Sequence, residues 1–322
     1  MSDIRRIREL VRKGWAEPRS IPPFVLKKTL GIEPWKFGRH AVPNALSKAV
    51  YRRASTKEPQ RTIWDEEWDL LILLDSCRPE WLCEGAENRD WIDDVETVWS
   101  VGSHSAEWTE KTFADEYGPE MEDTIYVTGN PYSADAPVSR FADFENVNER
   151  EWEVDSAVPP AHVVTDRAVK MARERDWSHC IVHYMQPHKP IFEQGESRGD
   201  SRLDERWQPN ATFWRQYIDG DVSLRELEGA FISNLEYVLE EVEILLENVD
   251  APSAVVTSDH GQALGEQFLW SHRRGVKHPS MRHVPWVECS ATDTRSLEPK
   301  VYRQATYEKE QRQEQLKQLG YL

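Results

Sequence analysis

The sequence predicts an α/β fold: a doubly wound, mostly parallel central sheet with helices on both faces. Three apolar segments, residues 68–74, 177–182 and 253–258, have the composition of strands buried on both faces. Segments of helical period separate these strands, and strands joined by helices lie parallel in one sheet. Each of the three strands is followed by an aspartate or a histidine, at the sheet edge where open α/β folds bind their ligands.

The remaining elements follow from spacing along the chain. Helical spacing predicts helices over residues 161–176, 221–249 (with Asp221 as the N-cap) and 301–319. Short apolar runs predict two further strands over residues 125–127 and 284–287. Residues 192–220 are polar without a clear period, which predicts a lid or specificity loop.

Charge divides the chain into two parts. Residues 1–60 contain 14 basic and 5 acidic residues, a formal charge of +9. Because the whole chain has a formal charge of −17, the remaining residues carry about −26. We therefore predict a basic arm over residues 1–62 and an α/β domain over residues 63–322. In the arm, residues 4–11 place four apolar side chains on one helical face among arginines, which is typical of a helix on an anionic membrane surface. Alternatively, the arm wraps the acidic body of its own protein.

The acidic body restricts the environment and the partners. Self-repulsion of this size is screened in a high-salt cytoplasm, which favours a halophilic, haloarchaeal source. The same charge repels phosphate backbones, so we expect no nucleic acid partner. No apolar run has membrane-spanning length and the N-terminus is charged, so we expect a cytoplasmic protein, membrane-associated at most through its arm. The four cysteines show no CxxC spacing, which predicts neither disulfides nor a zinc cluster.

Two of the predicted strands are followed directly by residues of the types that bind metal ions. Asp75 follows the first strand, and Asp259 and His260 follow the third. A carboxylate at a buried strand end is unfavourable unless a cation pairs with it. Aspartate oxygen and histidine nitrogen together suit a divalent cation such as Mn, Mg, Ca or Zn. A plain turn would also explain the triplet, because aspartate starts turns and Gly261 allows a sharp one.

Four segments stand out in the chain: WDLLILLDSCRPEW at residues 68–81, HYMQPHKP at 183–190, TSDHGQALGE at 257–266 and the terminal LKQLGYL. In the same order, they resemble segments of the sulfatase-like branch of the alkaline phosphatase superfamily. This branch includes sulfatases, phosphonate monoester hydrolases and lipoteichoic acid synthase-type phosphotransferases. The resemblance, which leaves out about the first 60 residues, implies a metal-dependent enzyme that acts on phosphate or sulfate esters. It also implies that Asp75, Asp259 and His260 hold the metal.

The order of the family places the nucleophile within VWSVGSHSAEWTEKTF, residues 98–113. We predict Ser105 at the start of a helix, where helix-end amides and a metal would lower the pKa of the hydroxyl. Ser103 is the alternative, and either serine could instead be an N-cap. The Cys/Ser-x-Pro-Ser-Arg signature of formylglycine sulfatases is absent. This departure favours an unmodified hydroxyl nucleophile, as in the phospho-transferring members of the family.

Several cationic or imidazole side chains are predicted to meet the substrate. By resemblance, His188 and His278 contact the ester anion or protonate the leaving oxygen. Arg78, His183 and Lys277 are predicted substrate contacts. Arg78 could equally pair with a carboxylate, and His183 could donate to a neighbouring carbonyl. The alternatives to His278 in the same loop are His272, Arg273 and Arg274.

The sequence therefore predicts a hydrolase or transferase for a phosphate or sulfate ester, on a glycan or lipid-linked head group near the membrane. Two other functions fit less of the sequence. One is a binding protein that keeps the fold and the metal without catalysis. The other is a scaffold role carried by the basic arm.

Overall fold

The computed structural model describes residues 41–54, 58–207, 213–305 and 309–319. Within these residues the strands, in chain order, are β1 (Leu70–Leu74), β2 (Glu96–Trp99), β3 (Thr124–Thr128), β4 (Asp143–Asn146), β5 (His179–Tyr184), β6 (Phe192–Gln194), β7 (Ser201–Leu203), β8 (Ala251–Thr257), β9 (Ala263–Leu264), β10 (Trp270–Ser271) and β11 (His283–Ala291). The helices are α1 (Ala41–Arg53), α2 (Pro79–Gly85), α3 (Ser105–Thr112), α4 (Gly118–Glu122), α5 (Ala161–Glu174), α6 (Phe213–Asp219), α7 (Leu224–Leu246), α8 (Pro279–Arg282) and α9 (Lys309–Gln318).

The central sheet has seven strands in the order β2-β11-β8-β1-β5-β3-β4. The five strands from β8 to β4 run parallel, which confirms the predicted mostly parallel sheet. The sequence did not predict that β11 runs antiparallel to both of its neighbours, β8 and β2. Two inversions restore the original direction, so β2 points the same way as β8. The carboxyl ends of β1, β2, β5 and β8 therefore lie at one edge of the sheet.

Strand β1 shows why the sheet is covered on both faces. All five of its residues are fully buried, and successive side chains point to opposite faces. Leu70, Ile72 and Leu74 belong to a core cluster with residues of α5 and α7. Leu71 and Leu73 belong to a second cluster with Trp108 of α3. The unbroken apolar run in the sequence reflects this burial on both faces, as expected of a doubly wound sheet.

Some predicted element boundaries need correction. Asp221 is not the N-cap of α7, because Ser223 occupies that position. The Ser223 hydroxyl accepts from the backbone N–H of Glu226 at 3.2 Å, and the Glu226 carboxylate accepts from that of Ser223 at 2.8 Å. The described residues of segment 192–220 form the β6–β7 hairpin and α6 rather than a lid, and Phe192, Trp207 and Phe213 are buried in the core.

Part of the predicted basic arm packs on the body of the protein. Helix α1 contacts the loop between β9 and β10, where Ser47 donates to the carbonyl of Gln267 at 2.5 Å. Further along α1, Arg52 donates to the carbonyl of Arg274 at 3.1 Å. The predicted membrane-surface helix lies in residues 1–40, outside the described residues. In the part of the chain that the structure describes, no helix has the length and apolarity needed to cross a membrane.

Candidate active site

Asp75 receives three side-chain hydrogen bonds at the carboxyl end of β1. Its Oδ1 accepts from the Ser76 hydroxyl at 2.8 Å, and its Oδ2 accepts from the Ser105 hydroxyl at 3.0 Å and from Asn130 Nδ2 at 2.8 Å. Asn130 follows β3 in the turn of sequence TGNPYS, residues 128–133, and is not among the predicted site residues. The signal that could have found Asn130 is its place after a strand that ends at the same edge of the sheet.

Asp259 lies beside Asp75 because β8 and β1 are parallel neighbours. Asp259 Oδ1 accepts from the backbone N–H groups of His260 at 2.8 Å and Ser76 at 3.2 Å. Asp259 Oδ2, by contrast, is buried without a hydrogen-bond partner among the described residues. The same is true of His183 Nε2, which lies 3.9 Å from Asp259 Oδ2. Two buried polar atoms without partners face each other across a short gap, which indicates room for a ligand.

Three fully buried side chains could hold a metal ion at this gap. Asp75, His183 and Asp259 each offer one ligand atom, and these atoms lie within 4.8 Å of one another. His183 was predicted as a substrate contact, whereas the structure places it in this ligand group. Burial lowers the pKa of His183 to about 4, so its imidazole is neutral at pH 7, the form that binds metals.

His260 completes the set of acceptors. Its Nδ1 lies 2.8 Å from the carbonyl oxygen of Gly261, which can only accept, so Nδ1 is the donor and Nε2 carries the lone pair. That Nε2 lies 3.5 Å from Asp259 Oδ2 and 4.0 Å from Asp75 Oδ1. Carboxylate oxygens and an imidazole lone pair thus converge on one region, and the residues present fit a divalent cation.

The electrostatics also favour a bound cation. Burial raises the pKa of Asp75 well above its ordinary value, and the neighbouring charge of Asp259 raises it further. Two adjacent buried carboxylates are unfavourable unless a positive charge offsets them. The described contacts of Asp75 and Asp259 supply hydrogen bonds but no lysine or arginine.

The structure distinguishes the two nucleophile candidates. Ser105 is the first residue of α3, is fully buried, and its Oγ lies 3.2 Å from His260 Nε2 in addition to its bond with Asp75. Ser103 faces elsewhere. Its Oγ lies 2.9 Å from Glu107 Oε2 and 2.8 Å from the carbonyl of Arg273. The structure therefore brings Ser105, and not Ser103, to the candidate metal ligands.

Imidazole rings surround the same region. The His272 ring centroid lies 4.4 Å from that of His260, 5.4 Å from that of His104 and 5.2 Å from that of His188. His188 was predicted to contact the substrate, His272 was only an alternative, and His104 was missed. The position of His104 directly before Ser105 was the available signal, and in the structure His104 is the N-cap of α3.

Arg78 and His278, two of the predicted substrate contacts, have side chains in contact with other protein groups, and a third, Lys277, is bound through its backbone. Arg78 donates to Glu266 Oε1 at 2.7 Å and also pairs with Glu80, which matches the carboxylate alternative. His278 is the N-cap of α8, and its ring packs edge-on against Tyr51 at 4.7 Å. The half-buried Lys277 donates its backbone N–H to the carbonyl of Tyr51 at 3.1 Å. The described contacts bring none of the three to Asp75, Asp259 or Ser105.

No family model matches the sequence, and no curated protein matches it. The solved structures with a similar fold include sulfatases and phosphoethanolamine transferases. The integral membrane lipooligosaccharide phosphoethanolamine transferase A from Neisseria meningitidis is 12% identical over 76% of this chain and 50% of that chain, with a TM-score of 0.47.

Two further neighbours have similar scores. The C-terminal periplasmic domain of a phosphoethanolamine transferase from Campylobacter jejuni is 15% identical over 71% of this chain and 82% of its own, with a TM-score of 0.44. A 2-O GAG sulfatase is 12% identical over 70% of this chain and 64% of its own, with a TM-score of 0.41. The chain spans half the length of the first neighbour and about two thirds of the sulfatase. None of the three scores reaches 0.5, so the function has to be inferred from the residues of this chain.

Proposed function

We propose that the chain is a metal-dependent hydrolase or transferase of phosphate or sulfate esters, with Ser105 as its nucleophile. One observation carries the proposal. The Ser105 hydroxyl, at the start of α3, lies 3.0 Å from Asp75 Oδ2 and 3.2 Å from His260 Nε2. A hydroxyl next to two proton acceptors and a helix N-terminus has the surroundings of an activated nucleophile for an anionic ester.

Four side chains would hold the metal: Asp75, His183, Asp259 and His260. When bound, a divalent cation lowers the pKa of a neighbouring hydroxyl and offsets the negative charge of the ester oxygens. The unpartnered Oδ2 of Asp259 and Nε2 of His183 support this assignment.

The residues of the chain would handle the protons. Ser105 gives its proton to Asp75, whose Oδ2 lies 3.0 Å away, and its Oγ then forms a bond to the phosphorus or sulfur of the ester as the bond to the leaving oxygen breaks. The leaving oxygen takes a proton from an imidazolium, for which His188 and His272 are the candidates beside the site. His188 Nδ1 donates to the carbonyl of Lys189 at 2.7 Å, so the protonated form of His188 would give the proton from Nε2.

The covalent seryl ester is then resolved by water in a hydrolase, or by an acceptor hydroxyl in a transferase. We propose a glycan or lipid-linked ester as the substrate, used in the cytoplasm by an enzyme that contacts an anionic membrane through residues 1–40. This part of the proposal is supported by the charge and the helical pattern of the sequence.

Hydrolysis of p-nitrophenyl phosphate, bis-p-nitrophenyl phosphate and p-nitrophenyl sulfate, each with Mn²⁺ or with EDTA, tests the proposal. We expect metal-dependent turnover of at least one ester by the native chain. Ser105→Ala should reduce kcat by about 10³-fold or more, as expected when a covalent nucleophile is removed. Ser103→Ala tests the alternative nucleophile and should lower kcat by no more than about 10-fold, because it removes one hydrogen bond to Glu107 and no reacting atom.

Equal turnover by Ser105→Ala and the native chain would contradict the assignment of the nucleophile. Metal binding without turnover of any ester would instead support the binding-protein alternative. Mass analysis of acid-quenched protein adds a second readout, because the proposed reaction leaves the phosphoryl or sulfuryl group on the peptide that contains Ser105.

A further inference from the structure

A buried ion pair lies beside the nucleophile and has no role in the chemistry proposed above. Arg282 Nη2 donates to Glu107 Oε1 at 2.8 Å, and the two side chains are only 2% and 6% exposed. Glu107 is two residues after Ser105 on α3, and Arg282 is the last residue of α8. Buried charge pairs are often no more stabilising than apolar side chains of the same volume, so this pair requires a reason other than stability.

The Glu107 carboxylate ties the start of α3 to a distant loop. Its Oε2 accepts from the Ser103 backbone N–H at 3.1 Å, the Ser103 hydroxyl at 2.9 Å and the Gly275 backbone N–H at 2.8 Å. Its Oε1 also accepts from Lys111 at 2.7 Å. With Arg282, five donors thus fix one carboxylate, and the residues on both sides of Ser105 are fixed with it.

The Arg282 guanidinium extends the same network towards the metal ligands. Its Nη1 donates to the carbonyl of Ser100 at 3.0 Å, and its Nε donates to that of Val276 at 3.2 Å. The Ser100 hydroxyl in turn donates to the backbone carbonyl of Asp259 at 2.5 Å. The pair is therefore connected to the backbone of Asp259 through a single side chain.

The turn that carries Arg282 also packs directly on the backbone next to His260. The N–H of Gly261 donates to the carbonyl of Met281 at 3.1 Å. A Cβ at Gly261 would lie 2.6 Å from the carbonyl oxygen of Ser280, so the two backbone segments are too close for any side chain at this position. A displacement of this turn would therefore move His260 relative to Ser105.

Glu107 remains charged despite its burial. Burial by itself would raise its pKa, but the Arg282 guanidinium, Lys111 and the Gly275 N–H outweigh this effect and lower the pKa to about 2. The carboxylate is therefore an acceptor at every oxygen lone pair throughout the neutral pH range.

We propose that Glu107 and Arg282 are positioning residues that fix the Ser105 hydroxyl relative to Asp259 and His260. This inference rests on the proposed function. The pair touches no reacting atom, so its loss should lower kcat and leave KM nearly unchanged. A misplacement of about 1 Å between reacting groups can lower a rate by about 100-fold.

Two conservative variants test the inference. Glu107→Gln removes the charge and replaces one acceptor oxygen by a donor. Arg282→Lys keeps the charge but cannot reach the Ser100 and Val276 carbonyls together, because a single ammonium lacks the guanidinium fork. We expect each variant to lower kcat by about 10- to 100-fold at saturating Mn²⁺, with KM within about 3-fold of the native value.

A second buried pair, far along the sheet, provides the matched control. Arg167 of α5 donates to Glu145 of β4 through two bonds, at 2.5 and 2.6 Å, and both side chains are less than 10% exposed. Glu145→Gln and Arg167→Lys make the same chemical changes away from the site. They should lower the unfolding temperature to a similar extent while kcat stays within about 2-fold of the native value.

Mn²⁺ affinity, measured by calorimetry, gives a readout that does not depend on turnover. It should fall by no more than about 10-fold in Glu107→Gln and Arg282→Lys, because three of the four proposed ligands, Asp75, His183 and Asp259, keep their side-chain bonds and only His260 would be displaced. Values of kcat equal to those of the control variants would overturn the inference and leave the proposed function standing. The inference is also overturned, and the proposed function again stands, if both test variants are unfolded at temperatures where the control variants are native. Absence of turnover in the native chain would overturn the proposed function and the inference with it.

Discussion

Replacement of Asp259 by asparagine should have opposite effects on the metal-free and the metal-bound protein. Asparagine keeps Oδ1, which accepts from the backbone N–H groups of His260 and Ser76. It replaces the unpartnered Oδ2 by an amide nitrogen that can donate to Asp75 or His183. Asp259→Asn should therefore stabilise the protein in EDTA and abolish the stabilisation by metal.

The separation of the two carboxylates sets the expected size of the effect. Ligand atoms of Asp75 and Asp259 lie within 4.8 Å, and at an effective dielectric constant of about 20 the two ionised carboxylates repel by about 3.5 kcal/mol or more. For a domain of this size, that corresponds to a rise in unfolding temperature of roughly 7 °C. In the native chain, Mn²⁺ at about 100 times its Kd should stabilise by about 2.7 kcal/mol, and in the variant by almost nothing.

The direction of the pH dependence follows from the raised pKa of Asp75, which burial and the charge of Asp259 produce. A folded state with a raised carboxyl pKa binds more protons than the unfolded state. Metal-free native protein should therefore lose stability as the pH rises above the ordinary carboxyl range. Asp259→Asn removes part of the cause and should flatten this slope.

Thermal and urea unfolding of the native chain and Asp259→Asn, in EDTA and in Mn²⁺ at pH 6 and pH 8, would measure these effects. Asn130→Ala is a useful reference, because it removes one donor to Asp75 without removing a charge. A variant less stable than the native chain in EDTA, or one that Mn²⁺ stabilises equally well, would refute the idea that these carboxylates form a metal site.

Three further predictions concern the framework. In urea unfolding, Gly261→Ala should destabilise the protein by about 1–3 kcal/mol, because its Cβ would lie 2.6 Å from the Ser280 carbonyl oxygen. Gly229→Ala, in α7, has open space around the new Cβ and should stabilise by about 0.4–1 kcal/mol. The pKa of Glu107 is lowered to about 2, so its charge stabilises the fold fully above pH 4.5 and progressively less towards pH 2. The difference in unfolding free energy between the native chain and Glu107→Gln should therefore shrink as the pH falls over that range. Ser223→Ala should cost about 1 kcal/mol in thermal unfolding, because it removes the N-cap of α7.

The parts of the site that the sequence could predict are those that depend on strands alone. Strands β1 and β8 are strongly apolar, so their ends, and with them Asp75 and Asp259, can be located from the sequence. Parallel strands place their carboxyl ends at one edge, which made it reasonable to expect these aspartates in one site. The antiparallel direction of β11 left no such signal, because an apolar strand has the same composition in either direction.

The parts that could not be predicted depend on contacts between distant segments. His272 and His278 lie in one loop, and the sequence favoured His278. In the structure, Tyr51 of α1 and Gln267 hold His278, while the β9–β10 hairpin directs His272 to the site. Asn130 has the local pattern of a turn residue, and its Oδ1 does accept from the Tyr132 N–H at 2.8 Å. Only the arrangement of the strands shows that its amide nitrogen also reaches Asp75.

The order of the strands has a consequence for how the protein folds. The hydrogen bond that joins the two aspartate-bearing strand ends, between the Ser76 N–H and Asp259, links residues that are 183 positions apart in the chain. Contacts of such separation form slowly, because the entropy of closing a long loop is lost before they form. A nascent chain released before β8 would lack half of the metal ligands. Metal capture would therefore mark the last stage of folding, and the rate at which Mn²⁺ quenches tryptophan fluorescence after refolding would time the closure of the sheet.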